Sequence, residues 1–218
     1  MRELFVDIET LPASMTDAER RALAADSVPA NYKDPAKIEA WIAENAAKAH
    51  ANTALDSMRG RVLMVAWAIG DGPVRSVYLD DPDDCRPVLD ALASVVAGPE
   101  PVLWIGHNIA GFDLPYLRRA ALRLRHPVAR EIPFNRYSDR MRDTMLMWGG
   151  TDPRPSYVGL DAIARFLGVG TKAGGMDGSQ VYPAWLAGRH DEIRAYGEGD
   201  VSLVRDVYRV IVGNYAPA

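Results

Sequence analysis

ELFVDIE (residues 3–9) is a short run of apolar, β-branched and aromatic residues that ends in two carboxylates. The composition reads as a β-strand. In a strand, residues i and i+2 point to the same face, so Asp7 and Glu9 stand side by side. Like charges on one face repel, and burial raises the penalty. A cation between them removes both problems. Hard divalent ions such as Mg²⁺ accept one or two carboxylates together with waters and phosphate oxygens. Two solvated acids on an exposed strand face would carry the same pattern, so the pair alone does not decide its role.

Working outward, residues 11–60 are Ala-rich and polar, with prolines at 12, 29 and 35. TDAE (16–19) fits a capping box, and Asp34-Pro35 fits an N-cap followed by proline in the first helical turn. Ile38, Trp41 and Ile42 recur on one helix face. The segment has too few large apolar residues for its own core, which predicts a helical insertion after strand 1 and not a second domain. RVLMVAWAIG (61–70) predicts a buried strand, Gly70-Asp71-Gly72-Pro73 a turn, and VRSVYL (74–79) the returning strand of a hairpin. A helix over 84–97, a buried strand over 101–108 and a helix over 110–125 follow. Residues 141–148 suit a short strand or helix. Pro153 and Pro155 break the chain before a helix over 157–167, a glycine-rich loop over 168–178 and a closing helix from about 190 to 212. This order predicts an α/β fold: one domain over 1–218, built on a mixed sheet flanked by helices.

Composition agrees with that class. The 218 residues suit one domain, and 48% apolar with 25% charged residues is ordinary for a soluble globular chain. No apolar run approaches the ~20 residues needed to span a bilayer. Asp7 and Glu9 interrupt any N-terminal signal run. Cys85 is a lone cysteine, and no Cys/His set has zinc spacing. The expectation is a cytoplasmic protein with no membrane partner. The net charge of −4 hides an asymmetry. Arginines 118, 119, 123, 125, 130, 136, 140 and 142 face only Glu131 and Asp139 within their segment, leaving it at +6 and the rest at −10. Such a segment fits a polyanion surface, or simply a solvated helix face and loop.

Two further stretches carry chemistry. In WIGHNIAGFDLPYL (104–117) a buried strand ends at Gly106-His107-Asn108, and polar residues at strand ends are where sites gather in α/β folds. Asn108 can cap the strand by hydrogen bonding, and Phe112 can pack beneath Asp113 and aim its carboxylate. Alone, Asp113 also fits an acid favouring a helix N-terminus, and His107 fits a hydrogen-bonded structural histidine. In AYGEGDVSLVRDVY (195–208), Tyr196 and Asp200 lie four apart on one helix face. Gly197 and Gly199 are poor helix residues, each costing roughly 1 kcal/mol relative to alanine, and would let a ligand or another backbone come close. Glu198 points elsewhere.

Taken together, Asp-x-Glu in the first strand, Asn-x-x-x-Phe-Asp after a later strand, and Tyr-x-x-x-Asp in the last helix resemble the DEDD superfamily of 3′–5′ exonucleases. The tyrosine marks the DEDDy branch; the histidine branch would have His where this chain has Ala195. The sequence is most similar to stand-alone exonucleases related to the proofreading domain of family-B DNA polymerases, through YGEGDV and GGMDGSQVY. That group often has cysteine where this chain has Gly197. The resemblance implies a ribonuclease H-like three-layer fold with a five-stranded mixed sheet. It also implies two divalent ions, Mg²⁺ or Mn²⁺, ~4 Å apart, that clamp the attacking and leaving oxygens of a phosphodiester. On this pattern Asp7 bridges both ions, Glu9 and Asp200 complete the site of the ion that activates water, and Asp113 holds the second ion in part through water. Tyr196 orients the water; with a pKa of about 10 it is a poor base at neutral pH.

The implied partner is nucleic acid, chiefly single-stranded DNA 3′ ends, with nucleoside 5′-monophosphate as product. Any proofreading would need a separate polymerase or recombination partner. The arginine-rich segment can hold the incoming strand by its phosphates. Leu11 or Tyr157 can stack on terminal bases beside Thr10. Lys172, in a loop whose spacing does not fit G-x-x-x-x-G-K-[ST], can contact phosphate. An exoribonuclease of the same fold, and a non-catalytic nucleic-acid-binding accessory module, are the alternatives.

Overall fold

The computed structural model describes residues 1–135, 137–150, 157–172 and 175–213. Arg136, the breaks at Pro153 and Pro155, and residues 173–174 of the glycine-rich loop lie outside the described residues. Five strands, β1 (Arg2–Leu11), β2 (Arg61–Ile69), β3 (Arg75–Tyr78), β4 (Val102–Gly106) and β5 (Met141–Asp143), form one sheet in the order β3-β2-β1-β4-β5. β1 pairs antiparallel with β2 and parallel with β4, and β5 runs parallel to β4. The expected α/β, ribonuclease H-like three-layer arrangement is therefore the one observed.

The pleat of β1 sorts its side chains between two cores. Leu4, Val6 and Ile8 face one layer with α3 (Arg86–Val96) and α4 (Asp113–Arg123). Phe5 and Leu11 face the other with α6 (Leu160–Leu167), α7 (Val181–Leu186) and α8 (His190–Ile211). Asp7 and Glu9 share the second face, so the two-residue period aims both carboxylates at α8. The β1–β2 register slips between Glu9 and Thr10, where Met64 and Val62 are the successive partners. Leu63 is the extra residue of this bulge, and both Leu63 and Met64 pack on the α8 side. Bulges of this kind commonly sit beside sites because they re-aim neighbouring side chains.

Residues 141–148 supply both alternatives in turn, β5 and then α5 (Thr144–Gly149). α7 is not legible in the sequence: it is one and a half turns long and carries Pro183 in its third position. The insertion holds two helices, α1 (Asp17–Ala25) and α2 (Pro35–Asn52). Both expected caps are present. The Glu19 N–H donates to Thr16 Oγ1 at 3.3 Å while the Thr16 N–H donates to Glu19 Oε2 at 2.7 Å, and the Ala36 N–H donates to Asp34 at 2.9 Å. The two ends of the insertion are clasped together: the Ala13 N–H donates to Thr53 Oγ1 and His50 Nε2 bonds the Ala13 carbonyl, each at 2.8 Å. Thr10 Oγ1 and Tyr116 Oη both donate to the Ala54 carbonyl, at 2.8 and 3.0 Å, fixing this clasp to β1 and α4.

Gly60 closes the same clasp. A Cβ there would stand 1.9 Å from Tyr116 Oη and 2.5 Å from the Thr53 carbonyl. Gly60→Ala is expected to destabilise the protein by about 1–3 kcal/mol, the usual range for overpacking. That corresponds to a Tm drop of roughly 2–10 °C in a thermal melt. An unchanged Tm would show that the clasp is not rigid.

Candidate active site

β1 continues past the point where β4 stops. Their parallel pairing ends at Phe5↔Ile105, and β4 closes at Gly106. The Ile8 N–H, left without a strand partner on that side, donates to Asp113 Oδ1 at 3.1 Å. Asp113 is the first residue of α4 and is buried, so one side chain joins a helix N-terminus to the sheet. From the other layer, Tyr196 and Asp200 come in from successive turns of α8. Gly197 lets that helix approach closely: a Cβ there would lie 3.0 Å from Met64 Cε and 3.5 Å from Glu9 Cγ. Gly199 meets nothing within 4 Å, so its expected role in close approach is not seen. Glu198 turns away, accepting from Ser76 Oγ at 2.6 Å.

The result is a cleft of about 280 Å³ lined by Asp7, Glu9, Asp113, Asp200, Tyr196 and Lys172, with Asn108, Phe112 and His107 on its rim. Carboxylate oxygens of Asp7, Glu9 and Asp200 all lie within 4.8 Å of one another. Burial, then the neighbouring acids, push the Asp7 and Glu9 carboxyls well above the usual carboxylate range. Burial also raises Asp113, up to about 7, although the Ile8 N–H opposes the shift. Asp200 is raised by burial and held back chiefly by Lys172. Buried acids that repel one another in this way are a site that calls for positive charge.

The chain itself supplies part of that charge. Lys172 Nζ donates to Tyr196 Oη at 2.8 Å and to Asp200 Oδ2 at 2.5 Å, and lies 4.7 Å from the centre of the Tyr196 ring. Its backbone is pinned by Asp161 in the first turn of α6, which accepts from the Lys172 N–H at 2.8 Å and from Thr171 Oγ1 at 2.6 Å. Tyr196 is buried among these acids, and burial drives its pKa strongly upward, so the phenol keeps its proton.

Two expected substrate contacts are not brought to the cleft. Leu11 is 0% exposed: it shares the strand face of Asp7 and Glu9 but is covered by the apolar side chains of the α8-side layer. It has no face for a base. Thr10 is also buried, with its hydroxyl spent on Ala54. Tyr157 stands exposed, next to Val158, whose carbonyl bonds His107 Nε2 at 3.0 Å. His107 Nδ1 bonds Thr144 Oγ1 at 2.9 Å, so both ring nitrogens are occupied, as in a structural histidine.

Sequence reasoning missed Asp143. Buried at the end of β5, it accepts from the Asn108 N–H at 2.9 Å, the Ala110 N–H at 3.0 Å and the Met145 N–H at 3.0 Å. These bonds hold the 108–112 turn, in which Asn108 takes a left-handed φ of 57°. Asp143 thereby fixes the loop that delivers Phe112 and Asp113. The signal available was an Asp before Thr144 at the entry to a short apolar helix, the pattern of an N-cap.

The family described as predicted 3′–5′ exonuclease related to the exonuclease domain of PolB matches residues 74–209, well over half of the chain. The matched span includes Asp113, Tyr196 and Asp200, and begins after Asp7 and Glu9. Among solved structures, a family B DNA polymerase from the hyperthermophilic archaeon Pyrobaculum calidifontis is similar at a TM-score of 0.61 and 20% identity. The likeness covers 97% of this chain and 24% of that polymerase, so the chain spans about a quarter of its length. At this identity the likeness speaks for the fold alone. No curated protein matches the chain.

Proposed function

The chain belongs to the family of predicted 3′–5′ exonucleases related to the exonuclease domain of PolB, and from that premise we propose that it is a DEDDy-type, divalent-metal-dependent enzyme that removes nucleotides from the 3′ end of single-stranded DNA as 5′-monophosphates. Residues 1–218 act as one exonuclease domain, with 11–60 as a helical insertion. One observation carries this reading: residues from β1, α4, α8 and the loop after α6, separated by almost the whole sequence, meet in one cleft as four acids, a tyrosine and a lysine.

The donor set fits divalent cations. The three clustered carboxylates offer hard oxygen ligands, their pKa values are raised as expected for acids lacking counter-charge, and an ammonium already sits among them. Asp7, Glu9 and Asp200 would hold the cations, with Asp113 offering the oxygen not bonded to Ile8. Bound there, Mg²⁺ or Mn²⁺ supplies Lewis acidity and neutralises charge as water attacks phosphorus. Tyr196, protonated, orients that water and does not abstract its proton. Lys172 balances the acids while no other cation is present, and its ammonium then turns to a non-bridging phosphate oxygen of the substrate. Asn108 and Phe112 line the side of the cleft where the terminal nucleotide enters.

End-labelled single-stranded DNA, duplex DNA and RNA, each incubated with and without Mg²⁺ or Mn²⁺, test the reading. Stepwise shortening from the 3′ end of single-stranded DNA is expected, and chelation stops it. Shortening of RNA alone moves the substrate to RNA; no shortening of any substrate overturns the proposal. Tyr196→Phe is expected to slow turnover by roughly 10²-fold or less, the scale of lost positioning, with KM little changed.

A further inference from the structure

Beside the catalytic cleft, on the far side of the 108–112 turn, lies a second cavity of about 150 Å³. Leu114 and Met141 form its floor, and Arg118, Arg119, Phe134 and Asn135 its walls. Phe134 is 81% exposed, so one face of its ring is open to a ligand. The Arg118 guanidinium lies over one face of that ring, 5.0 Å from its centre. Arg118 makes no ion pair among the described residues, and its Nε is buried with no hydrogen-bond partner.

Three other arginines of the +6 segment bond within the fold. Arg140 bonds the Glu131 carboxylate and carbonyl, Arg142 bonds the carbonyls of Asp139 and Met141, and Arg119 donates to Ser57 Oγ. Arg118 differs in that its buried Nε has no hydrogen-bond partner among the described residues while its guanidinium lies against an open aromatic surface. The location matters too. Asp113 opens α4 in the catalytic cleft, and Arg118 is five residues along the same helix, an axial rise of about 7.5 Å. Ala110 and Leu114 line the second cavity, while Asn108, Phe112 and Asp113 line the catalytic cleft, so the two hollows adjoin.

We propose that the Phe134/Arg118 cavity is a nucleotide subsite that holds the single strand upstream of the cleaved bond, with a base stacked on the open face of Phe134 and its phosphate on Arg118. This rests on the exonuclease reading above and adds to it where the uncleaved strand runs. Stacking on an aromatic ring is tolerant of sequence, as a processing enzyme requires, and the guanidinium completes the pairing of flat surface with charge. The observations favour a nucleic acid strand over a protein partner because the two recognition elements are one cation and one aromatic face in a small cavity, and not an extended apolar groove.

The test compares wild-type protein with Phe134→Ala, Phe134→Trp and Arg118→Gln. Binding of a fluorescein-labelled ten-nucleotide single strand is read by anisotropy in an Asp7→Ala background, which removes cleavage. Hydrolysis of the p-nitrophenyl ester of thymidine 5′-monophosphate, which fills only the catalytic cleft, is read alongside in the Asp7 background. Phe134→Ala and Arg118→Gln are each expected to weaken strand binding about tenfold, the scale of losing one base stack. Phe134→Trp should restore it, and the ester should be hydrolysed at the wild-type rate by all three. Wild-type strand affinity in Phe134→Ala and Arg118→Gln overturns the subsite, and so does an equal loss on strand and ester. If the wild type hydrolyses neither substrate, the catalytic reading fails, and the anisotropy comparison still decides the subsite.

Discussion

Replacing Asp7 with alanine is expected to reduce hydrolysis by on the order of 10³-fold or more, while leaving the fold intact and raising the Tm of the metal-free protein. Removing a single preorganised hydrogen-bond donor from an active site costs roughly 10²–10³ in rate. Asp7 should exceed that range, because it stands at the centre of the acidic set, with Asp113, Glu9 and Asp200 all bearing on its ionisation. The gain in stability follows from the same geometry. Asp7 is destabilised by burial and by three like charges, so deleting its carboxylate relieves repulsion without breaking a core contact. Unchanged hydrolysis in Asp7→Ala would remove the catalytic assignment. A fall in Tm would mean that the carboxylate carries a structural bond.

The second large effect is a dependence of stability on pH that divalent ions reverse. In the metal-free protein, Asp113 is raised to about 7, and Asp7, Glu9 and Asp200 are raised as well. A buried acid with a raised pKa holds its proton longer in the folded state than in the unfolded state. Between about 4 and about 7 the folded chain therefore binds more protons, and its stability falls as pH rises. Below that window the contribution is fully present; above it the contribution is lost. Glu19, Asp161 and Asp177, lowered by their hydrogen bonds, act the other way, but only as pH falls below about 4. Thermal melts in EDTA are expected to show Tm declining from pH 5 to pH 8 by several degrees, the scale of a few kcal/mol for a chain of this length. Millimolar Mn²⁺ should restore it, and by more at pH 8 than at pH 5, because ions bind the ionised acids and stabilise the folded state. A Tm that rises over this range in EDTA would show that the acids do not share a buried site.

Much of this was written locally in the chain. The Asp7/Glu9 pair declared its face through the two-residue period of a strand, and Tyr196 and Asp200 declared theirs through a helical turn. The caps at Thr16 and Asp34 appeared as expected because each depends on three or four adjacent residues. What escaped depends on distant partners. Asp143 matters through three backbone N–H groups, two of them more than thirty residues away. Leu11 follows the acidic pair on the same strand face, closely enough to suggest the rim, yet side chains from distant helices of the α8-side layer cover it. Lys172 was expected to meet phosphate; that Asp161 would pin its backbone and lodge its ammonium on Tyr196 and Asp200 follows from the packing of α6 against α8. The arginine-rich segment looked like one basic track, but several of its side chains are used within the fold.

Isothermal titration calorimetry of Mn²⁺ into the wild-type protein and Asp7→Ala at pH 7, repeated in two buffers of different ionisation enthalpy, addresses the shared acidic site itself. The account predicts that the wild type binds Mn²⁺ and releases protons, since acids held above their usual range must ionise to take the ion, and that Asp7→Ala loses this binding. Equal Mn²⁺ binding by the two proteins, or none by either, would contradict it.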